Sequence, residues 1–496
     1  MSTNHRRRLC PRRLLSRGGT DPDKPCPRVT IKELPDEVLL GIFGFCLACP
    51  LPLSPYEDDA WHTLVHVCRR WRHVVFGSPR RLNLRLLCIN RRLTKTLDIW
   101  PSLPIVVHVN DKATFPLRSV TSVISVLKRN DRVCKIVIDK VPNSLLEGLA
   151  KMTESFPALI ELELVPFWVD PPTLPDSFLG GSVPNLRSLK LWGISFPALG
   201  KLLLTTRDLV TLSLEIIRPS EYIPPKVMVD MLSSLERLES LHLGYQISQF
   251  MILDADRRPS GPVLPRVVLP ALTTFDFAGN SKFLGYFASR IDAPLESITV
   301  MATISDEDQL AFDIPLLCDF IWHTKLLKAP HRADTFFTDY DSRISLFEQK
   351  GGIDFKVLDL AIPCFDPDTQ LSALLQICNL LLLPLPSIEH LGIYKSESEH
   401  LSLRWENGEV GAPWVVLLRP FIAVKDLVLG ESVALSVALA LQCLWRERAT
   451  AFLPLLQNIF LESFQSSSPV LQGITTFITQ RELYGHPVVV HHRERT

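Results

Sequence analysis

The sequence carries no net charge: its 53 Lys and Arg residues balance 53 Asp and Glu residues over 496 positions. Attraction of nucleic acid or an anionic membrane by a global field requires an excess of positive charge. The composition excludes such a field, and we expect neither nucleic acid nor a membrane as a partner. With 46% hydrophobic residues, the chain is long and apolar enough for several folded units or one extended array.

The chain lacks an apolar run of the roughly 20 residues that a membrane-spanning helix needs. The longest runs, LLQICNLLLLPLPSI from Leu374 and SVALSVALALQCLW from Ser432, are interrupted or too short, and they are predicted to be buried helices. No secretory signal is visible, and the 11 cysteines form no even framework. We therefore expect reduced thiols and a location in the cytoplasm, the nucleus or both.

Sequence motifs of catalytic and cofactor sites are absent as well. None of G-x-x-x-x-G-K-[ST], G-x-G-x-x-G, H-E-x-x-H and G-x-S-x-G occurs. Glu161 and Glu163 are predicted to share one side of a strand, where carboxylates usually keep an exposed face soluble. His486, His491 and His492 have no second ligand cluster and are assigned to a solvated tail. We expect a non-catalytic protein with no cofactor and no bound metal.

Six arginines precede the first acidic residue, Asp21, in a segment that has no apolar periodicity. They are Arg6, Arg7, Arg8, Arg12, Arg13 and Arg17. Residues 1–28 are therefore predicted to be a disordered basic tail, with a nuclear import signal and an Arg-rich transit peptide as functional alternatives.

Two amphipathic segments follow this tail. In IKELPDEVLLGIFGF, Pro35 occupies a first-turn position, Asp36 and Glu37 complement the helix N-terminus, and apolar residues recur at helical spacing. A second helix is predicted to begin after Asp58 and Asp59 and to run through WHTLVHVCRRWRHVVF. A module of this size cannot bury all of its apolar side chains alone, so it needs the rest of the chain or a partner.

The connection between these segments has the spacing of a two-Cys, two-His zinc finger. Two residues separate Cys46 from Cys49, twelve separate Cys49 from His62, and three separate His62 from His66. A working finger also needs a small apolar core, but Asp59 stands where the pattern places a large apolar residue. Three prolines in the connection also remove hairpin donors. We therefore interpret the spacing as a coincidence and predict no metal site.

The Leu-Pro start at Leu34, the apolar residues after it and the Cys-Arg-x-Trp pattern from Cys68 together resemble the F-box. The resemblance runs from about Ile31 to Val109 and looks like the N-terminal part of the large fungal, mushroom-type F-box family, although the stretch 47–60 is longer than in the shortest F-boxes. It implies helices over 29–80 that dock on a Skp-type adaptor and, through it, join a cullin-RING ubiquitin ligase. The adaptor-binding residues that it implies are Leu34, Pro35, Val38, Leu39, Ile42, Phe43, Leu64, Val67, Cys68, Trp71 and Val75.

One apolar pattern, L-x-x-L-x-L, recurs through the remaining chain. Most of its eleven matches start 23 to 36 residues apart, which leaves room for one strand and one helix in each unit. The matches begin at Val133, Leu159, Leu186, Leu209, Leu238, Leu272, Leu295, Phe355, Ile388, Val424 and Leu456. We predict an α/β fold in which 131–480 form an irregular array with a curved parallel sheet, resembling a leucine-rich-repeat solenoid. Residues 81–130 are assigned to a connecting segment and 481–496 to a tail.

The array departs from a regular leucine-rich repeat in three places. The usual Asn or Cys three residues after each motif occurs only at Asn280 in the first half of the array. Nearly two repeats are missing between Val300 and Phe355, where a predicted helix at 308–324 and the strand-like TFFTDYDSRISLF form either a degenerate repeat or an inserted hairpin. The segment Asp254–Arg266, rich in charge and proline, is predicted to be an exposed loop.

Together these patterns predict a receptor whose N-terminal helices bind the adaptor while the exposed strand face selects a protein target. Strand register places six candidate substrate-binding residues on that face: Glu161, Glu163, Lys190, Trp192, His242 and Tyr245. The alternative is a repeat scaffold, or a zinc-assisted binding protein, that has no connection to ubiquitin.

Overall fold

The computed structural model divides into two units, Met1–Leu84 and Arg85–Thr496. The residues that the structure describes are 30–48, 61–88, 102–110, 117–141, 143–166, 172–217, 222–245, 266–303, 330–364, 367–380, 385–395, 411–444, 450–462 and 468–493. The basic tail 1–28, the predicted helix at 308–324 and most of the loop that ends at Arg266 lie outside these residues.

The first unit contains three described helices: α1 (Asp36–Ala48), α2 (Trp61–Val67) and α3 (Arg69–Gly77). Their core is formed by Leu39, Phe43, Trp61, Val65 and Val75, each at most 2% exposed. α3 contacts both of the other helices. The apolar positions at helical spacing thus form a core within this unit, as the periodicity predicts.

The second predicted helix is interrupted, so the expectation of one continuous helix was wrong. Cys68 is extended, with φ −159° and ψ 171°, and its Sγ accepts a hydrogen bond from the backbone N–H of Trp71 at 3.4 Å. It therefore acts as the N-cap of α3. The guanidinium of Arg70 then reaches α1, where it donates to the Asp36 carboxylate at 2.6 Å and to the Leu34 carbonyl. The start of α3 is thus tied to the start of α1.

The second unit is built on a 16-stranded sheet in the order β1-β2-β3-β4-β5-β6-β7-β9-β11-β14-β13-β12-β15-β16-β17-β18, with β8 and β10 forming a separate pair. The strands are β1 (Leu86–Cys88), β2 (Ile105–Asn110), β3 (Val133–Val141), β4 (Glu161–Pro166), β5 (Ser188–Trp192), β6 (Thr211–Ile217), β7 (Ser240–Tyr245), β8 (Val267–Val268), β9 (Thr274–Asn280), β10 (Ile291–Asp292), β11 (Ser297–Thr303), β12 (Arg332–Phe337), β13 (Asp341–Lys350), β14 (Ile353–Pro363), β15 (His390–Lys395), β16 (Asp426–Leu429), β17 (Asn458–Glu462) and β18 (Val489–Arg493). The predicted mixed α/β class with a large, mostly parallel sheet is confirmed.

The described helices of this unit lie between the strands in sequence. They are α4 (Leu117–Leu127), α5 (Asn143–Ala150), α6 (Leu199–Thr205), α7 (Pro225–Leu232), α8 (Ser281–Arg290), α9 (Pro367–Leu380), α10 (Gly411–Leu418), α11 (Glu431–Gln442) and α12 (Ser468–Leu483). Neighbouring helices contact one another. For example, α7 contacts α8, and α11 contacts both α10 and α12. Residues 374–380 of the first long apolar run lie on α9, but residues 385–387 of that run form a separate 3-10 helix, so a single helix over the run was wrong. Residues 432–442 of the second run lie on α11, which buries Val433, Val437 and Leu441 and exposes Leu435 and Leu439. Within the described part of the chain, no helix is long and apolar enough to cross a membrane.

All eleven repeat motifs coincide with strands. In most of them the strand begins two residues after the motif starts, so that the first residue lies in the preceding turn. The backbone N–H of that residue donates to the carbonyl three residues earlier: Leu159 donates to Phe156, for example, and Leu186 to Val183. Motif residues that make this turn are Leu159, Leu186, Leu209, Leu238, Leu272, Ile388, Val424 and Leu456. One apolar residue therefore both closes the turn and enters the core, where each of the eight is at most 3% exposed.

The interval between Val300 and Phe355 contains the inserted hairpin, one of the two structures predicted for it. β13 pairs antiparallel with both β12 and β14, whereas the other neighbouring strands are parallel. The segment TFFTDYDSRISLF contains a strand end, a turn and a second strand. The turn forms because the Thr338 hydroxyl accepts the backbone N–H groups of Tyr340 and Asp341 at 3.1 and 2.9 Å.

The sheet extends beyond both predicted limits of the repeat array. β1 and β2 lie in the predicted connecting segment 81–130, and β18 lies in the predicted tail 481–496. The stretch 84–89, LRLLCI, is a further match to the repeat motif, and β1 begins two residues after its first leucine. β18 follows no such match, but its backbone hydrogen bonds to a neighbouring parallel strand. Leucine-rich-repeat character and curvature of the sheet remain predictions.

Along the parallel strands, buried leucines or phenylalanines alternate with more exposed residues, most of them polar. The buried positions belong to the apolar core, and we call the opposite side of the sheet, to which the polar residues point, the open face. Its polar residues include Lys135, Glu161, Glu163, Lys190, Ser213, Ser240, His242, Asp276, Thr299, Arg332, Asp334, Ser345, Lys356, Asp359, His390 and Asp426.

Candidate functional site

The eleven predicted adaptor-binding residues fall into groups of different exposure. Those with an exposed fraction of 8% or less are Leu39, Phe43, Leu64 and Val75. Those that are exposed are Pro35, Val38, Ile42, Val67 and Cys68, and those of intermediate exposure are Leu34 and Trp71. The structure thus separates residues that support the helices from residues that a partner can reach.

Helix α1 is apolar on two opposite sides. Leu39 and Phe43 face inward, and the Phe43 ring lies 4.7 Å from that of Trp71. Val38 and Ile42 are 46% and 38% exposed, and Phe45, which sequence reasoning missed, is 83% exposed. The spacing i, i+4, i+7 brings the three exposed residues onto one helix face. We call Val38, Ile42 and Phe45 the docking face.

The zinc-like pattern falls partly outside the described residues, because Cys49 does. Cys46 and His66 are exposed, whereas His62 is half-buried with its ring 4.0 Å from that of Trp61. Nowhere in the described ranges do three or more His, Cys, Asp or Glu side chains lie together as a metal site requires.

On the open face, strand register aligns polar side chains into one row. From β4 to β12 in sheet order, the paired residues are Glu163, Lys190, Ser213, His242, Asp276, Thr299, Asp359, Ser345 and Asp334. We call these nine residues the central row. Side chains paired in register on adjacent strands lie about 5 Å apart, so each can interact directly with its neighbours.

The first strands of the open face carry paired charges and one aromatic side chain. Lys135 binds Glu161 at 2.9 Å, and Lys190 binds Glu163 at 3.5 Å. Trp192 is 40% exposed. The structure therefore puts Glu161, Glu163, Lys190 and Trp192 on the same face of the sheet, and their role in substrate binding stays a prediction. Partly exposed ion pairs contribute little to stability, so their charges remain available to a partner.

Tyr245 was wrongly predicted to lie on the exposed strand face. It is the last residue of β7 and only 7% exposed, with its ring centroid 4.9 Å from that of Phe283 and 6.2 Å from that of Phe277. Strand alternation explains the error, because Tyr245 follows the buried Leu241 and Leu243 at the same two-residue spacing.

His242 lies at the centre of a three-residue chain of hydrogen bonds. Its Nδ1 is 2.5 Å from an Asp276 carboxylate oxygen, and its Nε2 is 2.8 Å from the Ser240 hydroxyl. Burial alone would raise the pKa of Asp276, but hydrogen bonds from His242 and Thr299 outweigh it and lower the pKa below the ordinary 3.8. The carboxylate is thus held in its charged form against the imidazole. No sequence motif signals this arrangement, since Asp276 comes from a different repeat.

A denser charge cluster occupies the antiparallel part of the open face. Arg332 binds Asp334 through two hydrogen bonds of 2.7 and 3.1 Å, and its third nitrogen reaches Asp354 at 3.2 Å. Burial raises the pKa of Asp334, and the bonds from Arg332 offset only part of that effect. Asp359, only 4% exposed, accepts from Ser345 at 2.8 Å and from Lys356 at 3.0 Å. This cluster was missed because it requires the antiparallel register.

Two further histidines of the open face pair with carboxylates. His331 Nε2 lies 3.2 Å from Asp354, and His390 Nδ1 lies 2.8 Å from Asp426. Of the C-terminal histidines, His491 belongs to β18 and contacts the Asn458 side chain at 3.1 Å, so its assignment to a tail was wrong. The described part of the open face is therefore a surface of matched charges and hydrogen bonds.

A cleft of about 410 Å³ lies beyond the ends of β5 and β6, between α6 and α7. Its lining is mostly apolar and includes Ile194, Phe196 and Met231, with Glu215 and Tyr222 as polar groups. The Glu215 carboxylate accepts a hydrogen bond from Ser213 at 2.9 Å, which links the cleft wall to the central row. The cleft can accept an apolar side chain close to the polar surface.

Comparison with protein-family models and with curated proteins gives no match to this chain. A functional conclusion must therefore come from the docking face of α1 and the polar surface of the sheet.

Proposed function

We propose that the chain is a substrate-recognition subunit of a Skp-cullin-F-box type ubiquitin ligase. The observation that carries the proposal is the second apolar side of α1. A single buried side is enough to fold a helix into a core, so the outward set of Val38, Ile42 and Phe45 has no folding role to explain it. Contiguous exposed apolar residues of this kind mark sites of protein association.

The arrangement of the docking face suits insertion into a groove of a helical partner. Anchors at i, i+4 and i+7 are typical of an amphipathic helix that binds a hydrophobic groove. Ile31, 49% exposed, and Val67, 58% exposed, add apolar surface elsewhere in the same unit. This chemistry agrees with the Skp-type adaptor that the sequence resemblance implies, and through the adaptor with a cullin scaffold.

The open face supports the target-binding half of the proposal. It offers Lys190 and Glu163 as accessible charges and Trp192 as an accessible aromatic residue, next to a cleft of about 410 Å³. Interfaces commonly combine a buried aromatic or apolar anchor with a polar rim. We infer a folded or extended protein segment as the target.

Co-expression of the full chain with a Skp-type adaptor, followed by size-exclusion chromatography, tests the proposal. The wild type should elute as a stoichiometric complex, and Val38→Asp with Ile42→Asp should abolish it, because two charges would enter an apolar interface. The matched control is Leu435→Asp with Leu439→Asp on α11, which has the same i, i+4 spacing and similar exposures of 42% and 40%. The control complex should persist.

The same experiment separates the alternatives. A well-folded wild type that forms no complex would remove the receptor proposal and favour a scaffold without a ligase partner. Stoichiometric zinc in that uncomplexed peak, lost together with helical signal on chelation, would instead support the zinc-assisted protein.

A further inference from the structure

The hydrogen-bonded residues Ser240, His242 and Asp276 have the contacts of a hydrolase triad, with the histidine between the serine and the carboxylate. Ser240 and His242 lie two residues apart on β7, so both side chains point to the open face, and Asp276 is the register partner of His242 on β9. The hydroxyl, imidazole and carboxylate are joined by contacts of 2.8 and 2.5 Å. Such triads are recognised by geometry and role, not by sequence order.

We propose that Ser240, His242 and Asp276 form a nucleophilic serine site that accepts acyl groups from small carboxylic esters. His242 is the general base, and Asp276 is a positioning residue. This inference does not depend on adaptor binding, since all three residues lie in the sheet unit.

The contacts determine which nitrogen of His242 carries the proton. An ionised carboxylate can only accept hydrogen bonds, so the Nδ1–H must donate to Asp276. Nε2 is then left with a lone pair facing the Ser240 hydroxyl, which donates to it. Thr299 also bonds the Asp276 carboxylate and restricts its rotation. The arrangement is thus set for removal of the hydroxyl proton.

The surroundings of Ser240 limit the rate that this site can reach. Its backbone N–H is engaged with the Val210 carbonyl, and the N–H of Thr274 with the Glu239 carbonyl, so neither can stabilise an oxyanion. The hydroxyls of Thr211 and Thr274, the register partners of Ser240 on both sides, remain as neighbouring donors. Loss of one oxyanion donor costs on the order of 100-fold to 1,000-fold in related chemistry, and both acylation and deacylation pass through an oxyanion, so we expect slow turnover.

In the proposed step, the Ser240 oxygen attacks the ester carbonyl carbon and forms a carbon–oxygen bond. The bond from that carbon to the alcohol oxygen breaks, and the hydroxyl proton passes through His242 Nε2 to the departing alcohol. Water then attacks the acyl-serine in the same way, returns the proton to Ser240 and releases the carboxylic acid. The half-exposed position on the strand face, away from the apolar core, favours short acyl groups.

Labelling of the full chain with a fluorophosphonate tests the site, because its phosphorus traps an activated serine while fluoride leaves and the serine proton is lost. Mass spectrometry should locate the label on Ser240. Replacing the base in His242→Gln should slow labelling by roughly 100-fold or more. Asp276→Asn should slow it at least about tenfold, with Asp276→Glu recovering part of the rate, as expected for a positioning carboxylate.

Ser188→Ala is the matched control, because Ser188 lies on the same row of the open face as Ser240 but two strands away. It should label at the wild-type rate and release p-nitrophenol from p-nitrophenyl acetate as the wild type does, whereas Ser240→Ala should lose the initial burst. Thermal melts confirm that each variant is folded at the assay temperature. If His242→Gln is unfolded there, His242→Asn takes its place. Absence of label on Ser240 in the folded wild type, or an unchanged rate in either base variant, would overturn the proposal.

Discussion

Replacing Phe45 by alanine should weaken adaptor binding without unfolding the helices of the first unit. The side chain is 83% exposed, so its removal should change the free energy of unfolding by no more than about 0.5 kcal/mol. If Phe45 is a central anchor, its loss should cost about 2 kcal/mol of binding free energy, or about a 30-fold weaker Kd.

Phe43 provides a comparison within the same helix. It is fully buried and packs on Trp71, so Phe43→Ala should destabilise the unit by about 3–5 kcal/mol, comparable to the whole stability of a small module. Binding would then be lost together with the fold. The sequence resemblance places Phe43 among the adaptor-binding residues, and this assignment does not distinguish loss of binding from loss of the fold.

Isothermal titration calorimetry with a purified Skp-type adaptor measures the affinity, and circular dichroism with tryptophan fluorescence measures the fold. Phe45→Ala should bind weakly with wild-type spectra, and Phe43→Ala should show altered spectra. Equal affinity of Phe45→Ala and the wild type would refute the assignment of the docking face.

Three further predictions concern the sheet unit. Gly392→Ala should lower stability by about 1–3 kcal/mol because the added Cβ would lie 2.6 Å from an Asp334 oxygen and overlap Tyr394, whereas Gly244→Ala, whose nearest contact is 3.4 Å, should be milder in parallel urea titrations. Arg481→Met should lower the free energy of unfolding by about 2–5 kcal/mol, because the fully buried guanidinium donates to the carbonyls of Phe452 and Leu453 at 2.9 and 3.2 Å. The loss should be measurable as faster amide hydrogen exchange in β17. Asp276→Asn should lower Tm at neutral pH. Melts at decreasing pH should show this difference shrink below pH 3.8 and vanish once the pH is below the folded-state pKa, because a lowered folded-state pKa stabilises fully above the unfolded value and its contribution is lost as pH falls through the folded one.

The repeat motif was the most informative feature of the sequence, and its physical basis explains why. Each motif joins a turn residue to an alternating strand, so burial, turn geometry and strand period all require the same leucines, as at Leu186, Leu189 and Leu191. Residues 489–493 lack this signal, because Pro487 stands where the motif places its first leucine. Their strand forms because a neighbouring edge supplies backbone partners, which local sequence does not reveal.

The docking face shows a different limit of prediction from sequence, namely that periodicity does not tell which apolar residues of a helix are exposed. Periodicity grouped Ile42 with Phe43 because both are apolar in a helix, but exposure depends on which side meets α3. Phe45 was omitted although it is the most exposed large apolar residue of α1. A helix that is apolar on two sides gives a weak periodic signal, so structure was needed to tell its core side from its free side.

Strand register determines which polar side chains of this protein lie next to one another. Ser240 and His242 are close in sequence, but Asp276 joins them only because β7 and β9 are adjacent although the chain passes through β8 between them. In the same way, Asp334, Ser345 and Asp359 become neighbours only through the antiparallel insertion. A shift of one residue in either pairing would turn these carboxylates toward the core, where an unpaired charge is costly. The apolar motifs that hold the register therefore also determine which polar groups meet on the open face.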